Sequence, residues 1–190
     1  MRPMRCIVRN HQTHAAPDRF ISGRGFLARP PGPPIQARYA RIMASIQDTY
    51  FEGMKCFGCG PANPDGLQLK SYVAEGGTVA TFVAAPAHDN GLGFVNGGII
   101  STVLDCHSAT PILIYADDAG LLSSGIVLPY VTAGLDVRYL RPTPLGPELS
   151  LFASIEHIND DEAVVYGELT CDDKVRATAR AHWKRWRPRG

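Results

Sequence analysis

The sequence has almost no excess of charge of either sign. Its 190 residues include 19 Lys and Arg against 18 Asp and Glu, a formal net charge of +1. This balance excludes a globally basic nucleic-acid binder and an acidic disordered chain. No run of about 18 apolar residues is evident, so no membrane-spanning helix is expected. Neither nucleic acid nor a membrane is therefore expected as a partner.

Cysteine is sparse, odd in number and irregularly spaced. The five residues are Cys6, Cys56, Cys59, Cys106 and Cys171. Such a set does not form the disulfide framework of a small secreted domain, which makes a reducing, cytoplasmic location the default expectation. Because 45% of the residues are hydrophobic, a chain of this length can bury a core without disulfide or metal support.

The segment 1–42 lacks Lys and Glu but contains eight arginines against one acid, Asp18, a net charge of +7. It is rich in proline and shows no sustained period, which indicates a disordered Arg/Pro-rich extension. It could be an organelle transit peptide, an arm that contacts nucleic acid, or an upstream extension with Met43 as the natural start. The prolines would break a targeting helix, which favours the last interpretation. A chain starting at Met43 is then expected to keep the full activity and melting temperature.

From about residue 67 the pattern predicts strands around one helix. Strands are expected over 67–73 and 78–84, and the apolar stretch 97–115 is typical of a mostly buried helix. Pro111 is expected to bend or end this helix, because it cannot donate to the carbonyl of His107. Period-2 alternation then predicts four more strands, over 131–139, 149–155, 163–171 and 175–183. The expected fold class is α+β, a mainly antiparallel sheet on one long helix.

Asp105 lies inside this apolar helical stretch. Burying a lone carboxylate is expensive, so such a residue needs either partners or a chemical purpose. The alternative is that Asp105 faces solvent or caps a local backbone group.

The expected start of the helix, Asn96-Gly97-Gly98, is a second candidate for chemistry. The first N–H groups of a helix lack internal partners and carry partial positive charge, so they can stabilise an oxyanion. A plain loop-to-helix turn is the alternative. Asp105 lies eight residues after Gly97, which is about 12 Å along the axis. If both act on one carbonyl, two chains must meet, and a symmetric dimer with two shared sites is expected.

Two segments carry a resemblance to a known family. They are HDNGLGFVNGGIISTVLD, from His88 to Asp105, and VTAGLDVRYLRP, from Val131 to Pro142. Together they resemble hotdog-fold acyl-CoA thioesterases of the PaaI-like group, over about residues 55–186. The resemblance implies a hotdog fold, with an antiparallel sheet wrapped around one long central helix. It further implies hydrolysis of acyl-CoA to free acid and CoA, at sites in a homodimer or dimer of dimers. The hotdog domain would span 67–187, after a Cys-x-x-Cys lead-in over 43–66.

The resemblance also implies roles for individual residues. Asp105 matches the acid that acts as general base or nucleophile, and Gly97 matches the glycine whose N–H polarises the thioester carbonyl. Asn90 matches a loop residue that positions substrate or water, and Thr132 a hydroxyl that orients the attacking water. The family often has His-Gly-Gly at the helix start, but here the first position is Asn96.

The amide of Asn96 can donate a hydrogen bond but cannot carry a proton at neutral pH. Asn96 and Gly98 are therefore expected to bind and orient the substrate. The thiol that leaves has a pKa of about 8.5, so hydrolysis requires neither a metal nor another cofactor, and none is expected.

Three rival functions stay open. The chain could be a non-catalytic acyl-CoA-binding module, or a hotdog hydratase or dehydratase, although the acid–histidine motifs of the latter are not found. It could also be a zinc or redox protein built on Cys56 and Cys59. A single Cys-x-x-Cys supplies only two of the four ligands of a structural zinc, so this pair is interpreted as a structural lead-in, and Cys106 as a small core residue.

Overall fold

One long helix packs on a six-stranded antiparallel sheet in the computed structural model, which describes residues 44–122 and 128–187. The helices are α1 (Ile46–Tyr50) and α2 (Gly97–Asp118). The strands are β1 (Lys70–Ala74), β2 (Gly77–Val83), β3 (Tyr130–Tyr139), β4 (Glu148–Ile158), β5 (Glu162–Cys171) and β6 (Lys174–Arg185). Their order in the sheet is β1-β2-β4-β5-β6-β3. The predicted α+β fold class is thus confirmed, whereas the extension 1–42 and Met43 lie outside the described residues.

The alternation predicted for the C-terminal strands is confirmed. Every second residue of β5 is buried along its whole length. In β6, Ala177, Ala179, Ala181 and Trp183 are all buried. These faces form the core with residues of α2 such as Leu104 and Ile112. The strands therefore bury one face against the helix, as period 2 requires.

The first strand begins later than its pattern predicts, at Lys70 instead of Leu67. The Leu67 N–H donates to the carbonyl of Phe57 at 2.7 Å, and the Leu69 N–H donates to that of Gly58 at 3.0 Å. The backbone just before β1 therefore pairs with the lead-in segment instead of the sheet. Propensity cannot distinguish these two extended conformations, because both satisfy the backbone groups.

The prediction that Pro111 bends or ends the helix is wrong about its end, because α2 continues through Pro111 to Asp118. Proline leaves the carbonyl of His107 without its usual N–H donor. The hydroxyl of Thr110 donates to that carbonyl at 2.7 Å. The side chain of Thr110, one residue before the proline, thus replaces the backbone hydrogen bond that Pro111 cannot make. The helix continues to Asp118.

The same helix corrects the expectation that no segment is apolar enough to span a membrane. By length and composition alone, α2 is long and apolar enough to suit such a span. The core helix of a soluble protein meets the same criterion, because it too must be apolar on most sides. Here the fully buried residues Val103, Ile112 and Leu113 of α2 lie in the core.

The predicted alternation fails in part of β3. Val131 and Ala133, expected on the core side, are exposed in this chain. The pairing of β3 with β6 shifts between Thr132 and Gly134, which is a β-bulge. A bulge inserts one unpaired residue and reverses the phase of alternation. Tyr130 is therefore buried before the bulge, whereas Leu135 and Val137 pack on the core after it.

Candidate active site

Asp105 lies on α2, half-buried, and lines a mainly apolar cavity of about 160 Å³. The other lining residues come from the lead-in, α2, the segment just before β3, and β6, and include Phe51, Met54, Leu128, Trp183, Cys56, Cys59 and Cys106. Burial raises the pKa of the Asp105 carboxyl, and a hydrogen bond from Thr132 acts in the opposite direction. The carboxylate is thus held at the wall of an apolar space, where a lone charge is costly.

Thr132 reaches Asp105 because of the bulge in β3. Its hydroxyl Oγ1 donates to Asp105 Oδ1 at 3.0 Å. Strict alternation would place Thr132 on the face opposite to Leu135 and Val137, away from the helix. The structure therefore brings together two of the predicted site residues, and the register shift between Thr132 and Gly134 is what makes this possible.

The start of α2 is formed by Asn96 as its N-cap. Asn96 Oδ1 accepts a hydrogen bond from the Gly98 N–H at 2.7 Å. The amide oxygen of Asn96 and the N–H of Gly98 therefore satisfy each other, as is usual for an asparagine cap. By contrast, the N–H of Gly97 has no hydrogen-bond acceptor among residues 44–122 and 128–187. Of the two glycines, Gly97 is the one whose donor remains open to a ligand.

Two residues that the sequence interpretation missed contact this glycine. The Tyr139 hydroxyl donates to the Gly97 carbonyl at 2.9 Å, and the Ser101 hydroxyl donates to the same carbonyl at 3.0 Å. A Cβ built on Gly97 would lie 3.2 Å from Tyr139 Oη. The end of β3 therefore packs closely on the first turn of α2. The sequence gives no signal for this contact, because nothing in it distinguishes Tyr139 from the other aromatic residues of the strands or brings it near Gly97, 42 residues earlier.

Asn90 lies on the exposed loop that precedes α2. Its Oδ1 accepts hydrogen bonds from the Leu92 N–H at 2.8 Å and the Phe94 N–H at 3.4 Å. The loop is joined to the helix start by a hydrogen bond from the Asn96 N–H to the His88 carbonyl at 2.8 Å. The side-chain oxygen of Asn90 is thus occupied by hydrogen bonds within the loop, and its side-chain NH₂ group is the part that can bind a substrate.

Gly97 and Asp105 lie on the same helix, eight residues apart. Because α2 is continuous between them, they are about 12 Å apart along its axis. One chain therefore joins Asp105 to Thr132 but leaves the open N–H of Gly97 at the far end of the helix. The carbonyl of one bound substrate therefore cannot contact both the Gly97 N–H and the Asp105 carboxylate of the same chain.

Three cysteines lie close together beside Asp105. The Sγ atoms of Cys56, Cys59 and Cys106 lie within 4.8 Å of one another, and those of Cys56 and Cys106 are 3.6 Å apart. A hydrogen bond from Cys106 lowers the pKa of the Cys59 thiol to about 7. The same contact, together with burial, raises the pKa of Cys106. The sequence interpretation did not connect Cys106 with the pair, because it comes from α2, 50 residues after Cys56.

His107 is buried in a polar network and faces away from this cavity. Its Nδ1 accepts from the Ser71 hydroxyl at 2.9 Å, and its Nε2–H donates to the Thr78 carbonyl at 3.1 Å. Gln47 Oε1 accepts from the Ser71 N–H at 2.7 Å, which ties the lead-in to the same network. Burial lowers the pKa of His107 to about 4, so the ring is neutral at physiological pH. His107 is therefore a packed histidine held by hydrogen bonds to Ser71 and Thr78.

A scan against models of protein families finds no match to this chain, and neither does a search of the curated proteins. Solved structures do match. A thioesterase superfamily protein from Shewanella loihica PV-4 is 30% identical, with 98% of that chain and 67% of this one covered and a TM-score of 0.52. The chain belongs to the thioesterase superfamily. The predicted resemblance to PaaI-like hotdog thioesterases is confirmed.

Two further solved structures are similar to this thioesterase-superfamily chain. A phenylacetic acid degradation-related protein from Ralstonia eutropha JMP134 is 28% identical, covering 67% of this chain and 92% of that one, with a TM-score of 0.55. A protein from Bacillus halodurans, crystallised with CoA, is 26% identical, covering 65% and 77% of the two chains, with a TM-score of 0.53. The sheet and the long helix α2 are therefore those of a hotdog fold.

Proposed function

We propose that this chain hydrolyses acyl-CoA thioesters to free acid and CoA, at two sites shared between the subunits of a homodimer. The observation that carries the proposal is that the two candidate catalytic groups, Asp105 and the Gly97 N–H, lie too far apart within one chain to act on the same substrate. Asp105 is held in a cavity by Thr132, whereas the open N–H of Gly97 lies at the other end of α2. Membership of the thioesterase superfamily supports the reaction, and the CoA-bound relative supports the leaving group.

In the proposed reaction Asp105 acts as a general base. Its carboxylate accepts a proton from water, and the water oxygen bonds to the thioester carbon. The oxyanion that forms is held by the Gly97 N–H of the second subunit and by the positive end of its helix. The intermediate then collapses with cleavage of the C–S bond. The thiolate leaves and takes up the proton from Asp105, which restores the carboxylate.

Strand β3 is the surface that we propose for pairing with a second copy. It is the last strand in the sheet order, so one of its edges has no partner strand among the residues that the structure describes. Two of its apolar side chains are unusually exposed, at 45% for Val131 and 54% for Tyr139, and Leu140 just after the strand is 51% exposed. A long exposed edge strand is a template for pairing with another strand. Since β3 carries Thr132 and contacts Gly97, pairing there would bring the two incomplete sites together.

The donor function of Gly97 can be tested by a substitution that removes its N–H and is compatible with the start of a helix. Gly97 is the first residue of α2, a position that favours proline, and Asn96 before it has φ −59° and ψ 136°, which proline tolerates. Gly97→Pro should lower kcat roughly 100- to 1,000-fold, as loss of one oxyanion donor does. Gly97→Ala keeps the N–H and adds the same Cβ beside Tyr139, so it is the matched control and should lose much less.

The shared site can be tested by mixing two inactive chains. A dimer of one Asp105→Asn chain and one Gly97→Pro chain, isolated with two different affinity tags, has one site with both groups intact. We expect it to recover about half of the wild-type activity. If each site used one chain's own Asp105 and Gly97, the mixed dimer would stay as inactive as its parents. The proposal would be contradicted if the mixed dimer hydrolysed none of a panel of acyl-CoAs faster than its parents do.

A further inference from the structure

The three clustered sulfur atoms have the spacing of a metal site. A tetrahedral zinc ion with Zn–S distances of about 2.3 Å holds its sulfur ligands about 3.8 Å apart. The Sγ atoms of Cys56 and Cys106 are 3.6 Å apart, and all three atoms lie within 4.8 Å. A disulfide would require about 2.05 Å. The cluster is therefore arranged for three reduced sulfurs around one centre.

The lead-in contains a turn that presents two of these sulfurs. The Gly60 N–H donates to the Cys56 carbonyl at 2.9 Å and closes the Cys56-x-x-Cys59 turn. A Cβ on Gly60 would lie 2.3 Å from the Cys56 nitrogen, so only glycine fits there. The C-x-x-C spacing is also one that zinc ligands commonly use.

The third sulfur reaches the pair through a gap left by another glycine. A Cβ on Gly58 would lie 2.3 Å from Cys106 Sγ and 3.0 Å from Thr102 Cγ2. Gly58 thus leaves space that the Cys106 sulfur occupies. The close approach of the lead-in to α2 at Gly58 therefore brings the three thiols together.

We propose that Cys56, Cys59 and Cys106 bind one soft divalent cation, zinc in the first place. Thiolate ligands select zinc over the harder magnesium and calcium ions. Each thiol that binds releases its proton to solvent, and no electron is transferred. Since the same three residues line the cavity of Asp105, water can take the fourth position. The bound ion would fasten the lead-in to α2, and this inference does not depend on the proposed hydrolysis.

Metal binding can be measured on the reduced full-length chain by two readouts. Elemental analysis after zinc loading and desalting should give about one zinc per chain. Cobalt(II) titration should give thiolate-to-cobalt charge-transfer bands and intense d–d bands, which report tetrahedral sulfur coordination. Zinc should raise the melting temperature and a chelator should reverse that shift, because a ligand that binds the native state stabilises it.

Substitutions in the cluster distinguish this site from adventitious binding. Cys106→Ala should abolish stoichiometric zinc and the cobalt spectrum, whereas the Cys6→Ser/Cys171→Ser double variant, which leaves the cluster intact, should keep both. Gly58→Ala leaves every thiol in place but crowds Cys106, so it should weaken zinc binding at least tenfold. Circular dichroism establishes that each variant is folded, and Cys56→Ser gives a second test if Cys106→Ala fails to fold. Unchanged binding in Cys106→Ala, no stoichiometric metal in the folded wild type, or a Cys56–Cys106 disulfide under reducing conditions would overturn the proposal.

Discussion

Replacement of Asp105 by asparagine tests the centre of the proposed mechanism. The amide has nearly the shape of the carboxylate, so the cavity keeps its volume of about 160 Å³. The Asn oxygen can still accept the Thr132 hydrogen bond, which is 3.0 Å long in the parent protein. The change therefore removes the base and little else.

The expected loss follows from the role assigned to the carboxylate. A positioned general base contributes roughly 100- to 10,000-fold to a rate, which corresponds to about 3 to 5 kcal/mol of the activation barrier. We expect kcat of the Asp105→Asn variant to fall within this range. Folding should not suffer, because the substitution replaces a carboxyl whose charged form is disfavoured by burial with a neutral group. The free energy of unfolding, measured with urea, should be equal to that of the parent or higher.

The assay should measure CoA release by chromatography, because the half-buried thiols of Cys56 and Cys106 would also react with thiol reagents. The matched control is Asp173→Asn, an exposed residue with φ 57° in the turn between β5 and β6. Asparagine adopts this left-handed conformation readily, so the control should behave like the parent. Turnover by Asp105→Asn within about threefold of the parent would refute the general-base assignment.

Two further predictions concern single hydroxyl groups. Thr132→Val deletes the hydrogen bond that orients Asp105 and should lower kcat about tenfold, which corresponds to about 1.4 kcal/mol of the activation barrier. An unaltered kcat would contradict an orienting role. Thr110→Val should lower the free energy of unfolding by about 1 to 3 kcal/mol, because the His107 carbonyl loses its donor and the buried Thr78 hydroxyl loses its hydrogen bond to Thr110. Adding Pro111→Ala restores a backbone N–H to that carbonyl, so a urea-unfolding cycle should show positive coupling, and strict additivity would refute this account.

The fold was predictable wherever one physical rule dominates. In β5 and β6 the alternation of apolar residues continues without interruption, and the buried residues Ala163, Val165 and Trp183 lie where that period places them. The start of α2 was also predictable, because Asn96 is a good N-cap and the glycines after it precede a long apolar run. Both features depend on neighbouring residues only.

The features that sequence analysis missed depend on contacts between distant residues or on backbone irregularity. The helix passes Pro111 because Thr110 can turn its hydroxyl toward the His107 carbonyl, and no propensity scale contains that hydrogen bond. The cysteine cluster needs α2 and the lead-in to be packed together before Cys106 and Cys56 are neighbours. Spacing along the chain carries no information about either arrangement.

The bulge in β3 shows how such an irregularity can determine a site. Without the register shift, one side of β3 would carry Thr132 and the opposite side would carry Leu135 and Val137. Tyr130, which is buried in the structure, would then lie on the opposite side from the core, and Asp105 would face the cavity without a hydrogen-bond donor from β3. The shift costs ladder hydrogen bonds at the bulge, and the fold retains it on an edge strand, where that loss is smallest. The irregularity therefore makes two arrangements possible at once. It lets Tyr130 be buried on the same face as Leu135 and Val137, and it brings the Thr132 hydroxyl to Asp105.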